Sequence, residues 1–395
     1  LQIYVRCGAV NETDASAGVS HFLEHMIFKG TDRLDAGKIA QVVERRGGSI
    51  NAATGTEMTH YYVDMPSDSL DEAFEVLTES VLRPAFPPEE LEKERRVILE
   101  EIKRRNDNPE SDLWDAFLET LYRETPYRRQ VIGTAASIAA MPRDTLFRQH
   151  HDYYVPENMV VVVAGDLRRA TVEKKIKLAF GAVPARTAPA RPPLVEPAPS
   201  NTVLKFISRP AQQAHVAVGF LGPTLQDPEQ VAMDVLATAL GGGQSSPLYQ
   251  ILREQKRAVW SVGASFLTHA GSGVFGIFAE CPPEKARSLS NEIYFILDDA
   301  LGNGLPPEAL ARAKAQLRSA WLFSQETYHG QAAQWGFYTI LDRPQLARNY
   351  LKELDKVTLA DLHRLLLACF QRRELSGAVL LPETSGGDAP RPAAP

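Results

Sequence analysis

The sequence predicts an α+β protein of two homologous α/β sandwich domains, each a mostly antiparallel sheet with helices packed on one face. Three observations carry this. Pro184, Pro189, Pro192, Pro193, Pro197 and Pro199 break the 395-residue chain near its middle. Proline at that density cannot hold a helix or a central strand and reads as a stiff, extended linker. The same order of elements recurs on either side of the break. The length exceeds what one core fills and suits two domains. The expected organisation is a first domain over residues 1–183, a linker over 184–200, a second domain over 201–385 and a disordered tail over 386–395.

Each element has its own justification. Leu1–Cys7 alternates as a strand does, and Ser16–Phe28 has helical periodicity. Strand segments Gly47–Asn51 and His60–Met65 follow, then a long charged helix, Pro88–Asn106, opened by Pro87-Pro88. Met159–Gly165 closes the first half as an apolar strand. In the second half the order repeats as His215–Phe220, Asp227–Leu240, Val259–Phe266 with Gly273–Ala279, Pro306–Gln325 and Leu375–Leu381. Adjacent strand runs separated by helices of varied length suit a largely antiparallel sheet. The repeat rests on this order alone, because identity between the halves is not visible.

Composition excludes several classes. A hydrophobic fraction of 44% with 23% charged residues is ordinary for a globular protein. Lys and Arg number 43 against 49 Asp and Glu, a formal charge of −6, which argues against nucleic acid as the main partner. No apolar run is long enough to span a membrane. Cys7, Cys281 and Cys369 are far apart and read as isolated thiols. The strand at Leu1 is already under way, so the chain is expected to continue upstream, targeting segment included. The Ala-, Arg- and Pro-rich linker points to a GC-rich bacterial genome. The expected location is a bacterial periplasm in preference to the cytoplasm.

One run carries chemistry. His21-Phe22-Leu23-Glu24-His25 puts two imidazoles four residues apart on one helical face, close enough to share a cation. Phe22, Leu23, Met26 and Ile27 bury the rest of the helix. Buried imidazoles need partners, and zinc is one; backbone or carboxylate groups are the blander alternative. Catalytic zinc takes three protein ligands and leaves one position open, so a third ligand is required. On the long charged helix Glu94 and Glu101 lie two turns apart on one stripe. Glu101 is assigned as the third ligand. Glu94 is placed near it, either behind the ligands or beside the scissile amide. Alone, that helix would read as a solvated face with Glu–Arg pairs. With zinc in place, one ion per chain, Glu24 is the general base that takes a proton from water and returns it to a leaving amine.

At these residues the sequence resembles the inverted-zincin peptidases, the family of pitrilysin, insulin-degrading enzyme and the mitochondrial processing peptidase. His21 through Thr31 resembles that family's zinc helix almost letter for letter. Glu101 stands 76 residues beyond His25, the family's spacing for its third ligand, and Glu94 occupies its conserved upstream glutamate. The resemblance implies a zinc endopeptidase acting on peptides or unfolded segments. It implies an edge strand at Ser49–Thr54, where the backbone near Ala52, and Asn51 beside it, pair with an extended substrate. For Asn51 a turn role after Gly47-Gly48 is an equal alternative. In the short branch of the family two chains close around the substrate. Active relatives carry an Arg and, seven residues later, a Tyr that bind the substrate carbonyl. Here Arg253 is retained but Trp260 stands at the Tyr position, and indole has no hydroxyl to offer. The expectation is a heterodimer with a homologous subunit that supplies the Arg/Tyr pair. A self-sufficient homodimer and a non-enzymatic assembly subunit are the alternatives.

Overall fold

The computed structural model describes residues 1–197, 201–370 and 375–383. The expected disordered tail lies outside the described residues, as do the last three positions of the expected linker.

The first half runs β1 (Gln2–Val5), α1 (Val19–Ile27), α2 (Ala36–Arg45), β2 (Ser49–Thr54), β3 (Thr59–Asp64) and α3 (Leu70–Leu82). It continues through α4 (Pro88–Asn106), α5 (Pro109–Leu121), α6 (Ala135–Ala140), α7 (Arg143–Tyr153), β4 (Met159–Val162) and α8 (Arg169–Phe180). The second half runs β5 (Leu204–Arg209), β6 (Ala214–Thr224), α9 (Gln230–Gly241), α10 (Pro247–Tyr249), β7 (Ser261–Leu267) and β8 (Ser272–Cys281). It ends with α11 (Pro283–Asn303), α12 (Pro307–Ser324), α13 (Tyr328–Ile340), α14 (Pro344–Lys356), α15 (Leu359–Cys369) and β9 (Ser376–Pro382).

The two sheets share a topology. The first has the order β2-β3-β1-β4, antiparallel throughout. The second has β7-β8-β6-β9 in the same relation, with β5 added in parallel beside β9. The added strand has no signal in the alternation pattern.

Strand periodicity sends successive side chains to opposite faces. Ile3 and Val5 of β1 pack with Tyr61 and Val63 of β3 under the first half's own helices. Val216, Val218, Phe275, Ile277 and Val379 do the same in the second half. Each half's own helices therefore lie on one face, as expected from the sequence. The opposite faces are covered by an exchange. Helix α5 of the first half packs across β9, β6 and β5, and α13 of the second half packs across β1 and β4. Phe117 and Leu113 of α5 join Ala217, Val274, Ala378 and Leu380 in one core. Tyr4 of β1 belongs to the core of the second half. Glycines make room for both contacts. A Cβ at Gly336 of α13 would run into the Tyr4 ring. A Cβ at Gly219 of β6 would meet the Phe275 carbonyl and the Phe117 ring.

The proline-rich stretch has no helix or strand over residues 184–197. It is strapped down by the buried Glu196 carboxylate, which accepts from the backbone N–H groups of Arg123, Glu124 and Thr125 at 2.7, 3.0 and 2.8 Å. The Glu196 N–H donates to Ser272 Oγ, tying the strap to β8.

Candidate metal centre

Helix α1 is built inward. Phe22, Leu23, Met26 and Ile27 are fully buried, each contributing about 1.5–3 kcal/mol. The helix starts at Gly18, whose φ of +87° favours glycine and whose Cβ would press on the Ile132 carbonyl. Its first N–H groups are satisfied by a buried carboxylate: Glu12 accepts from Gly18 N at 2.7 Å and Ser20 N at 2.8 Å. Burial pushes the Glu12 carboxyl up, against the pull of those same N–H groups. The helix is thus held at its start and along its length, and His21, Glu24 and His25 take its remaining face.

Helix α4 brings the carboxylates. Leu91, Ile98 and Ile102 bury one side of it, and Pro88 opens it. Arg95 pins it in place, donating to the Ile138 and Met141 carbonyls and stacking over the Phe22 ring of α1. Val97, on the other side of the helix, is 43% exposed.

The two helices meet at the ligand set. Glu101 Oε2 lies 3.8 Å from His21 Nε2 and 3.5 Å from His25 Nε2, and the imidazole centroids are 4.7 Å apart. One donor atom from each of the three residues falls within 4.8 Å of the other two. Ligands bonded at about 2.1 Å to a tetrahedral ion stand roughly 3.4 Å apart, so the spacing fits zinc. Glu101 Oε2 is buried with no hydrogen-bond partner, which a neighbouring cation would satisfy. His21 is pushed down to about 4 by burial and by His25 beside it, which leaves its imidazole neutral and a lone pair free to bind a metal.

Glu94 and Glu24 flank that set differently. Glu94 Oε2 is 2.9 Å from His25 Nδ1, behind the ligand atom, and Lys29 Nζ is 2.7 Å from its other oxygen. Burial pushes the Glu94 carboxyl up, but Lys29 and His25 together outweigh it and hold it below the usual range. Glu24 has a buried Oε2 with no partner. Burial raises its carboxyl above the usual range, opposed by hydrogen bonds from Thr54. Thr54 is the last residue of β2, so the edge strand ends against the proposed base.

Asn51 and Ala52 lie on β2, at the open edge of the first sheet. The Asn51 carboxamide oxygen accepts from the Ala52 N–H at 2.8 Å. The structure does not join Arg253 to this cluster. Arg253 sits in the π-helical segment Gln250–Gln255, exposed, over the Tyr249 ring at 5.0 Å. It makes no hydrogen bond or ion pair with His21, Glu24, His25 or Glu101. Trp260 is 43% exposed just before β7. Glu12, Lys29 and Thr54 are additional to the sequence reading. Of these, Lys29 carried a signal as the residue one turn beyond His25, and Thr54 as the end of the expected edge strand.

Residues 1–135 match the family model described as Insulinase (Peptidase family M16), and residues 140–317 match Peptidase M16 inactive domain. An uncharacterized zinc protease of Mycobacterium leprae is 33% identical over 392 residues, covering 98% of this chain and 88% of that protein. The chain belongs to peptidase family M16. An uncharacterized zinc protease of Bacillus subtilis is 29% identical over 360 residues, 91% of this M16 chain and 87% of that protein. Among solved structures, a protease from Helicobacter pylori superposes with a TM-score of 0.90 at 26% identity, covering 96% of this chain and 93% of its own. A Pseudomonas fluorescens structure described as a peptidase M16 inactive domain gives 0.88 at 20% identity, covering 98% of this chain and 93% of that one, a likeness of fold. The residues that meet at the centre fall within the part matched as insulinase. Arg253 and Trp260 fall within the part matched as the inactive domain.

Proposed function

We propose that this chain is the zinc-bearing subunit of an M16 endopeptidase that hydrolyses peptides or unfolded segments. The observation that carries the reading is the convergence of His21 Nε2, His25 Nε2 and an unpartnered Glu101 Oε2, with Glu24 beside them. His21, His25 and Glu101 would hold zinc, which would supply Lewis-acid chemistry toward water and the substrate carbonyl. Glu24 takes the proton of the attacking water and delivers it to the leaving nitrogen. Its burial suits that task, since a carboxyl raised above the usual range is a stronger base than an exposed one. Glu94 is a positioning residue: its bond to Nδ1 selects the His25 tautomer that leaves Nε2 free. The open edge at Asn51 and Ala52 receives the substrate backbone as an added strand, delivering it at Thr54 to the base.

Arg253 and Trp260 support a division of labour between chains. Arg253 is exposed and makes no polar contact with its own chain's metal centre, and Trp260 offers no hydroxyl to an oxyanion. A homologous partner subunit supplying an Arg/Tyr pair completes the site. Among the described residues no helix is long and apolar enough to cross a membrane.

Metal analysis with Glu24→Gln tests the enzyme reading. One zinc per chain in both forms, with chelator-sensitive cleavage only in the parent, supports it. Metal-free protein without cleavage sinks it and leaves an assembly subunit, and cleavage unchanged by Glu24→Gln removes Glu24 from the role of base. Light scattering and peptidase assays on the purified chain test the pairing. Strong activity from a homodimer overturns the heterodimer.

A further inference from the structure

Helix α1 is tied down at its end as well as at its start, and the tie runs to the carboxylate helix. Lys29 follows the last turn of α1, its N–H donating to the Met26 carbonyl at 3.1 Å. The chain then turns at Gly30, whose φ of +119° favours glycine. The Gly30 carbonyl accepts from Ala85 N at 3.0 Å, and Thr31 pairs with Pro84. Residues 84–85 lead into α4, so the backbone at Lys29 is fixed against the root of that helix. From there Lys29 Nζ reaches Glu94 Oε1 at 2.7 Å, while Glu94 Oε2 lies 2.9 Å from His25 Nδ1. The Glu94 side chain is only 10% exposed. The cations beside it on α4 are committed elsewhere: Lys93 pairs with Glu90, and Arg95 with Glu92.

We propose that Lys29 is a positioning residue of the metal centre, acting on His25 through Glu94 and not as a ligand. The proposal rests on the zinc reading above. A carboxylate facing only an imidazole could turn about its soft terminal torsion and would carry an unmatched charge in a nearly closed site. Lys29 answers both. Its charge-assisted hydrogen bond holds one oxygen and so keeps the other in place for Nδ1. Nδ1 then remains the donor, and Nε2 stays free to ligate. Lys29 also completes the charge of the centre. In formal charge Glu24, Glu94 and Glu101 exceed a divalent ion by one, and the ammonium makes up the difference.

Zinc affinity of the full-length chain, measured by competition with a chromogenic chelator, tests this apart from turnover. Lys29→Met, which keeps the length of the stem, is expected to weaken zinc binding by about 10-fold. Lys29→Arg, which restores charge and donor, should recover most of that loss. The decisive comparison is a double-mutant cycle with Glu94→Gln. In that background Lys29→Met should change the affinity by less than about 2-fold, because Lys29 has no charged partner left to hold. An equal loss in both backgrounds, which a merely structural role would give, overturns the proposal. So does a loss that Lys29→Arg leaves unrepaired. A parent chain that takes up no zinc overturns the metal reading itself, whereas zinc held equally well by the parent and by Lys29→Met overturns only the role of Lys29.

Discussion

The two halves place the same pair of helices in the same position and use them for opposite purposes. In the first half α1 meets α4, and the contact is ionic: two imidazoles, three carboxylates and Lys29. In the second half α9 meets α12 through a mostly apolar contact, edged by Arg312 Nη2, which donates to the Ala239 carbonyl at 3.1 Å. The buried residues of α9 include Val231, Met233, Val235, Leu236, Ala239 and Leu240, and α12 answers with Ala309 and Ala313. The scaffold therefore stands without the site. The candidate metal centre is a local replacement of core by polar groups on a framework that its twin packs mostly with hydrocarbon.

Asp234 is the exception in the second half. This buried carboxylate accepts from Tyr350 Oη at 2.9 Å and from Gln230 Nε2 at 3.0 Å, and burial pushes it up to about 7. Its neighbours are neutral donors, whereas Glu94 has Lys29 beside it and is held low. Buried carboxylates in the paired helix bundles are thus tuned in opposite directions by whether a cation stands next to them.

The sharpest way to break the contrast is at the base. Glu24→Gln should lower kcat by about 10²- to 10⁴-fold with zinc content unchanged. Steady-state kinetics with metal analysis checks it. Next comes Asp234. An acid raised in the folded state is most stabilising when protonated, so stability should fall as pH rises from the ordinary carboxylate range to about 7, then level off. A displacement of that size corresponds to roughly 4 kcal/mol. Asp234→Asn, which keeps an acceptor for both donors, should flatten the dependence. Denaturant melts from pH 4 to 8 decide this, and a flat profile in the parent chain refutes the burial argument. Glu94→Gln should weaken zinc binding by about 10- to 100-fold, measured by competition with a chelator, because the His25 imidazole loses its charged partner. The smallest effects concern packing. Gly336→Ala should destabilise by about 1–3 kcal/mol through the Tyr4 ring. Gly302→Ala, in an open stretch of α11, should stabilise by about 0.5–1 kcal/mol. Urea midpoints should move in opposite directions for these two.

What the sequence made legible follows from periodicity and local chemistry. The His21–His25 spacing on a helix, and Glu94 with Glu101 on another, need only the helical repeat to be placed on one face each. The alternation of Leu1–Cys7 and His215–Phe220 likewise announced β1 and β6. What stayed hidden depends on distant partners. Glu12 caps α1 only because a loop folds back upon it. Glu57 is indistinguishable in sequence from a surface glutamate, yet it is buried between the halves, accepting from Tyr127 Oη at 2.5 Å and Ala270 N at 3.0 Å. Arg105 reads as one cation in a basic run and turns inward only because α5 brings Asp115 to it. Strand β5 was missed because Leu204–Arg209 pairs in parallel with a strand more than 160 residues away.

The exchanged helices make the proline segment a poor place to divide the molecule. Severed there, each piece would carry a sheet with one bare face and a helix whose docking surface belongs to the other piece. Neither piece has a complete interior, so folding must wait for contacts between residues hundreds of positions apart, such as Tyr4 with Gly336. Synthesised as separate polypeptides, the pieces should be insoluble alone and should assemble into the intact architecture when expressed together. The apparent duplication is thus a repeated order of elements whose two copies are expected to fold as one unit.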